Sequence, residues 1–165
     1  MQNTKEALTW ITTIIKEKNI PFQITGGLAA QVYGSQRNLA DIDIDIPEDN
    51  FATIINEVSP YITFGPAQYK DEEWDLPLMT LNYKDQEIDL CGAYTTKVYN
   101  KANNTWLTLK TNLSNPNHAD IFGITLPVIS RDELIAYKKI IARPVDLLDL
   151  AALTPSSPQP PSAHL

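Results

Sequence analysis

The sequence predicts an α/β (α+β) fold, a mixed β-sheet packed with helices and closed by two C-terminal helices. Three observations carry this. Asp41-Ile42-Asp43-Ile44-Asp45-Ile46 alternates with period two, which puts the isoleucines on one face of a strand and the aspartates on the other. Ala7, Trp10, Ile11, Ile14 and Ile15 recur at helical spacing. The last ordered stretch holds two helical segments, 134–142 and 145–153, separated by Pro144 at a first-turn position.

In order, Asn3 and Glu6 resemble a capping box opening a helix over 4–18, which Asn19 and Pro21 end. Residues 22–25 are too short for a helix and predict a buried strand. Gly26 and Gly27 break it, and 28–33 predicts a short helix with its N-terminus at the glycines. Such a turn makes an anion site, because free N–H groups and the helix dipole point at it; many Gly-Gly pairs are only turns. A polar loop, 34–37, leads to the aspartate strand. Pro47 and the acidic residues after it precede a helix over 51–58. Residues 60–75 look irregular, with a possible strand at 61–64. Runs 78–83 and 87–91, joined by Lys84-Asp85-Gln86, predict a hairpin. Glu87 and Asp89 share one face of its second strand and Ile88 and Leu90 the other. Residues 94–115 carry weak strand signals around 106–109, and a strand follows at 124–129. Ser130 and Glu133 form a capping box for the next helix. From Thr154 the chain is Pro- and Ser-rich and is expected to be disordered, leaving 1–153 as a single domain.

Composition narrows the function. A net charge of −7 repels nucleic acid and anionic membranes. The single cysteine, Cys91, forms no internal disulfide, which fits a reducing compartment, and its apolar run predicts a packing residue. No stretch is long and apolar enough to span a membrane, and no apolar signal core follows the N-terminus, so a cytoplasmic location is expected.

The aspartate strand has two readings. Three like charges on one face repel each other, and a divalent cation would offset them, since carboxylate oxygens suit magnesium, calcium or manganese. Alternatively it is a solvated edge on which acidic residues discourage aggregation. Same-face neighbours lie roughly 6.6 Å apart at Cα, from which side chains can converge on one or two metal ions. Asp89 adds a third carboxylate, or is an exposed strand residue. A glycine turn, spaced carboxylates and a later carboxylate are what phosphoryl and nucleotidyl transfer need.

These residues resemble the nucleotidyltransferase superfamily with the DNA polymerase β-like fold. The similarity is strongest to the small bacterial branch that includes lincosamide nucleotidyltransferases and AbiEii-type toxins. It rests on Gly26-Gly27-Leu28-Ala29, on Arg37-Asn38-Leu39-Ala40-Asp41-Ile42-Asp43, and on Glu87-Ile88-Asp89-Leu90. The closing helices, Glu133 to Lys138 and Arg143 to Leu150, look like those of that branch. The resemblance implies Asp41, Asp43 and Asp89 as catalytic carboxylates and ligands of Mg2+ or Mn2+, with Asp45 in reserve. It implies Gly26 and Gly27 holding the phosphates of a nucleoside triphosphate. Arg37 would pair with a phosphate or with the acidic strand. Lys138, or Lys139 if the helix is rotated, would be a late phosphate contact. Arg143, Asp146 and Asp149 are expected to join the last two helices through ion pairs, and Trp10, Trp74 and Trp106 to pack. His118 has no visible partner.

Two departures leave the acceptor open. Leu28 follows Gly27, so the hydroxyl of the Gly-Ser version is absent, and no second helical acceptor-binding domain is visible. The acceptor is then a small antibiotic-like molecule, a tRNA end or a protein side chain. The alternative function is a non-catalytic nucleotide-binding module, or a toxin–antitoxin-type module completed by a partner protein. A phosphohydrolase would use the same carboxylates but usually adds histidines, of which this chain has two.

Overall fold

The computed structural model describes residues 2–154. Helix α1 (Gln2–Glu17) leads into β1 (Gln23–Ile24), α2 (Gly26–Val32), β2 (Asp41–Ile46) and α3 (Phe51–Val58). Strands β3 (Ile62–Lys70), β4 (Trp74–Tyr83), β5 (Gln86–Gly92), β6 (Lys97–Asn100), β7 (Thr105–Thr108), β8 (Asn117–Ile121) and β9 (Ile124–Val128) follow. Helices α4 (Arg131–Ile141) and α5 (Pro144–Leu153) close the described chain. The expected tail lies, from residue 155 on, outside the described residues.

The strands form one mixed sheet in the order β7-β6-β4-β5-β2-β1-β9-β8, with β3 paired to β4. Two pairings are parallel, β2 with β5 and β1 with β9; the others are antiparallel. The expected fold class is thus the observed one. Ile42, Ile44 and Ile46 are fully buried on one face of β2, in the core with Leu8, Ile11 and Ile15 of α1 and Ile54 of α3. The opposite face carries the aspartates.

Several elements differ from expectation. Residues 60–75 are not irregular: β3 runs for nine residues and pairs with β4 through two register shifts. Its Gly65-Pro66 and the polar Asp71-Glu72-Glu73 interrupt the local pattern, and the pairing comes from the neighbouring strand. Strand β8 was not predicted. Asn3 lies inside α1, where its Nδ2 donates to the Lys84 carbonyl (2.8 Å), so no capping box forms there. The hairpin turn is tighter than expected, with Lys84 and Asp85 both at positive φ (52° and 63°), as a two-residue type I′ turn requires. Half of the Ser130–Glu133 box is present: the Glu133 N–H donates to Ser130 Oγ at 3.3 Å, but Glu133 Oε2 accepts from that hydroxyl, at 2.6 Å, and not from the Ser130 backbone N–H.

Helical spacing turns Leu147, Leu148 and Ala151 of α5 toward a core, yet all three are exposed. Asp146 and Asp149 are fully buried, whereas Leu147 and Leu148 are 56% and 62% exposed. The aspartates face inward because the cations they pair with are there.

Candidate active site

The parallel pairing of β2 and β5 builds the site. It sets Asp41 opposite Glu87, Asp43 opposite Asp89 and Asp45 opposite Cys91. Two alternating strands in register stack their acidic residues on a single face, while Ile42, Ile44, Ile88 and Leu90 are buried on the other. Carboxylate oxygens of Asp41, Glu87 and Asp89 lie within 4.8 Å of one another. Glu87 is the member that sequence reasoning left without a role. The signal was its shared face with Asp89; the parallel register that brings it to Asp41 is not a local property.

Asp43 lies beside this cluster, over the glycine turn. A Cβ built on Gly26 would sit 1.7 Å from Asp43 Oδ2, and the Gly27 N–H donates to the Asp43 carboxylate. Burial, then the charges of Asp41, Asp89 and Asp45, push its pKa up to about 8. Asp89 is raised to about 6 by burial and by Asp41 and Glu87, against the hydroxyl of Thr80 donating at 2.6 Å. Asp45 is also raised to about 6, by burial and by Glu133, although Gln23 Nε2 donates to it at 2.9 Å. So much repulsion in one place is what a bound cation would relieve, and an all-oxygen donor set fits a hard divalent ion such as Mg2+ or Mn2+.

Arg37 lies beside Gly27, its Nη2 only 2.5 Å from where a Cβ on that residue would be. It bonds neither β2 nor β5. Its Nε donates to Asp149 Oδ1 of α5 at 2.9 Å, an oxygen that also accepts from Ser35 Oγ at 2.7 Å. The remaining Asp149 oxygen faces Lys138 Nζ at 2.9 Å, and Lys138 donates to Asp146 at 2.9 Å as well. Arg143 Nε completes the chain on Asp146 Oδ2 at 2.8 Å. Lys138 is 1% exposed, so its charge is committed to the two aspartates, and Lys139 is exposed on the far side of α4. Burial opposes ionisation of both aspartates, yet Arg143 and Lys138 hold Asp146, and Ser35, Lys138 and Arg37 hold Asp149, below the usual carboxylate range. Asp146 and Asp149 thus join the last two helices as expected, but through Lys138 of α4, while Arg143 pairs with Asp146 at the start of its own helix and Asp149 extends the pairing to Arg37.

The carboxylates of β2 and β5, the glycine turn, Arg37, Lys138 and Arg143 line one cleft of about 920 Å³, large enough for a sizeable ligand. Two residues expected to pack line it, Cys91 instead of packing and Trp74 while it also packs against the core. Cys91 stands half-buried among the carboxylates, with its thiol pKa pushed up by burial and by Asp43. Trp74 stands below the Arg143 guanidinium, 5.5 Å from its ring centroid. Trp10 does pack, stacked on Tyr83 with centroids 4.3 Å apart. Trp106 contacts Tyr99 edge-on at 5.3 Å. His118 is exposed on β8.

No protein-family model matches the sequence, and no curated protein does. Solved structures do match. A Thermotoga maritima protein described as a candidate nucleotidyltransferase superposes with a TM-score of 0.68 at 20% identity, covering 84% of this chain and 85% of its own. The lincosamide antibiotic adenylyltransferase LnuA, in a lincomycin-bound state, gives 0.58 at 14% identity over 90% and 94% of the two chains. The antibiotic-resistance factor ANT(2'')-Ia gives 0.61 at 18% identity over 93% and 82%. No helix among the described residues is long and apolar enough to cross a membrane. The chain has the fold of the nucleotidyltransferases.

Proposed function

We propose that this protein transfers a nucleoside monophosphate from a nucleoside triphosphate to a hydroxyl or phosphate acceptor, with Mg2+ or Mn2+ held by Asp41, Asp43 and Asp89. The observation that carries this is the in-register parallel pairing of β2 with β5, which stacks acidic residues in two adjacent rows on one face. Glu87 joins the ligand set through its closeness to Asp41 and Asp89. Asp45, held by Gln23 at the far end of the row, stays outside it.

A bound divalent cation would neutralise the triphosphate and polarise the reacting oxygens. Gly26 and Gly27, with the Arg37 guanidinium beside them, form the phosphate end. Lys138 acts there at one remove, because it fixes Asp149, and Asp149 aims Arg37. The acceptor oxygen attacks the α-phosphorus as the bond to the bridging oxygen breaks, and pyrophosphate leaves with that electron pair. Asp89, oriented by the Thr80 hydroxyl at 2.6 Å, takes the hydroxyl proton. Of the structures alike in fold, LnuA, an antibiotic adenylyltransferase with lincomycin bound, supports a small-molecule acceptor.

The test is titration of the protein with ATP, GTP, CTP and UTP, with and without Mg2+, repeated with Asp43→Ala. Metal-dependent binding that the variant loses is the expected result. Binding that ignores both the metal and Asp43 overturns the assignment.

A further inference from the structure

The sheet face that carries the carboxylates changes character as it is crossed toward β3. Asp89 lies opposite Thr80 on β4, and Thr80 opposite Phe64 on β3. Farther along β4, Leu76 is paired with Tyr69, and Trp74 with Val98, itself opposite Leu107. Alternation keeps this apolar run on the side of Asp89. Of the seven exposed large apolar side chains among the described residues, four (Phe64, Tyr69, Leu107 and Val145) line the cleft. Leaving so much apolar surface in one concavity marks a binding surface.

The order of the strands decides what this wall faces. The glycine turn follows β1, the carboxylates stand on β2 and β5, and the wall begins on β4. In-line displacement puts the attacking and leaving oxygens on opposite sides of the phosphorus. With phosphates at the glycine turn, pyrophosphate departs on that side and the attacking group arrives from β4.

The wall also selects by chemistry. Its carboxylate, Asp71, is already engaged, accepting from the Tyr69 hydroxyl and from the N–H groups of Glu73 and Trp74. On the wall itself a polycation finds no free row of acids, the row starting at Asp89 beyond it, and an RNA end finds Lys110 and an Arg143 that Asp146 already holds. We infer that the acceptor, on the transferase reading above, is a small uncharged molecule with an apolar ring body and a hydroxyl, seated on β3, β4 and β7 with the hydroxyl toward Asp89.

The probe is 2-naphthol, a neutral ring compound with one hydroxyl, titrated against the full chain with and without saturating Mg2+ and a non-hydrolysable nucleoside triphosphate. It is expected to bind in both conditions, and about fivefold to tenfold more weakly to Phe64→Ser and to Leu107→Ser. Both side chains are more than a third exposed, so the variants keep the fold, which circular dichroism verifies. Absence of binding, or equal affinity in wild type and both variants, overturns the inference. So does displacement by the nucleotide, which would make the wall a base site, or displacement by spermine or a tRNA. Failure of every nucleotide to bind in the parallel titration counts against the transferase reading alone, since the naphthol data are read separately.

Discussion

The carboxylate of Asp43 occupies the space in which Gly26 would carry a side chain, 1.7 Å from an ideal Cβ. Gly26 also has φ +59°, a left-handed conformation. Gly26→Ala therefore meets both costs. The backbone term alone is about 1–2 kcal/mol, and Asp43 must turn away as well. We expect Tm to fall by several degrees and metal-dependent nucleotide binding to be lost; unchanged binding in calorimetry would show that Asp43 can move freely.

Asp43→Asn is expected to separate stability from function. Above pH 8, where Asp43 is ionised, it removes one charge from a set of mutually repelling carboxylates, so the metal-free protein should melt higher there, by on the order of 5 °C. The rise in Tm that Mn2+ gives the wild type should vanish. Scanning calorimetry with chelator and with Mn2+ reads both effects, and a metal-free Tm below that of the wild type would contradict the repulsion.

The carboxylates also set a pH dependence. Asp43 titrates near 8 and Asp45 and Asp89 near 6 in the folded chain, against 3.8 for an unperturbed aspartate. Between those limits the folded state binds more protons than the unfolded one, so stability falls as pH rises. With chelator present, Tm should decline steadily from pH 5 to 8. Mn2+ should restore it most at the upper end, where protons compete least. A flat profile under chelation would count against the raised values.

Lys138→Met leaves Asp146 and Asp149 buried, with Arg143 as remaining partner of the first and Arg37 and Ser35 of the second. Removing one member of a buried ion pair costs about 3–5 kcal/mol. Urea unfolding should register a loss of that order. A variant of wild-type stability that binds nucleotide more weakly would instead give Lys138 a direct phosphate contact.

What could be read from the sequence follows from how local each signal is. The bounds of β2 were visible because strict alternation identifies itself, and those of α3 because Pro47 and the acidic turn mark its start. Of β3 only the start, expected at 61–64, was legible, since Gly65-Pro66 breaks its pattern and β4 supplies the pairing beyond it. The faces of Asp41, Asp43 and Asp89 were legible, but the partner row was not. That Glu87 meets Asp41 depends on two strands lying parallel in one register, which neither segment encodes alone. Arg37 and Asp149 are separated by 112 positions, so their pairing was equally out of reach. Trp74 and Cys91 show a related limit. Period two sorts residues into two faces without saying which face is the cleft.

The alternation on β2 makes the hydrophobic core and the acidic row two readings of the same six residues. Shifting the strand by one residue exchanges them, turning isoleucines into the cleft and aspartates into the core. Substitutions can adjust either side separately, but a single-residue insertion or deletion within 41–46 damages both at once. In a library of such length variants, this segment should stand out as a gap with no survivors, while the β6–β7 hairpin, at the sheet's edge, accepts changes of length. Lineages of this protein can then alter what they recognise at the periphery while the central ladder keeps its length.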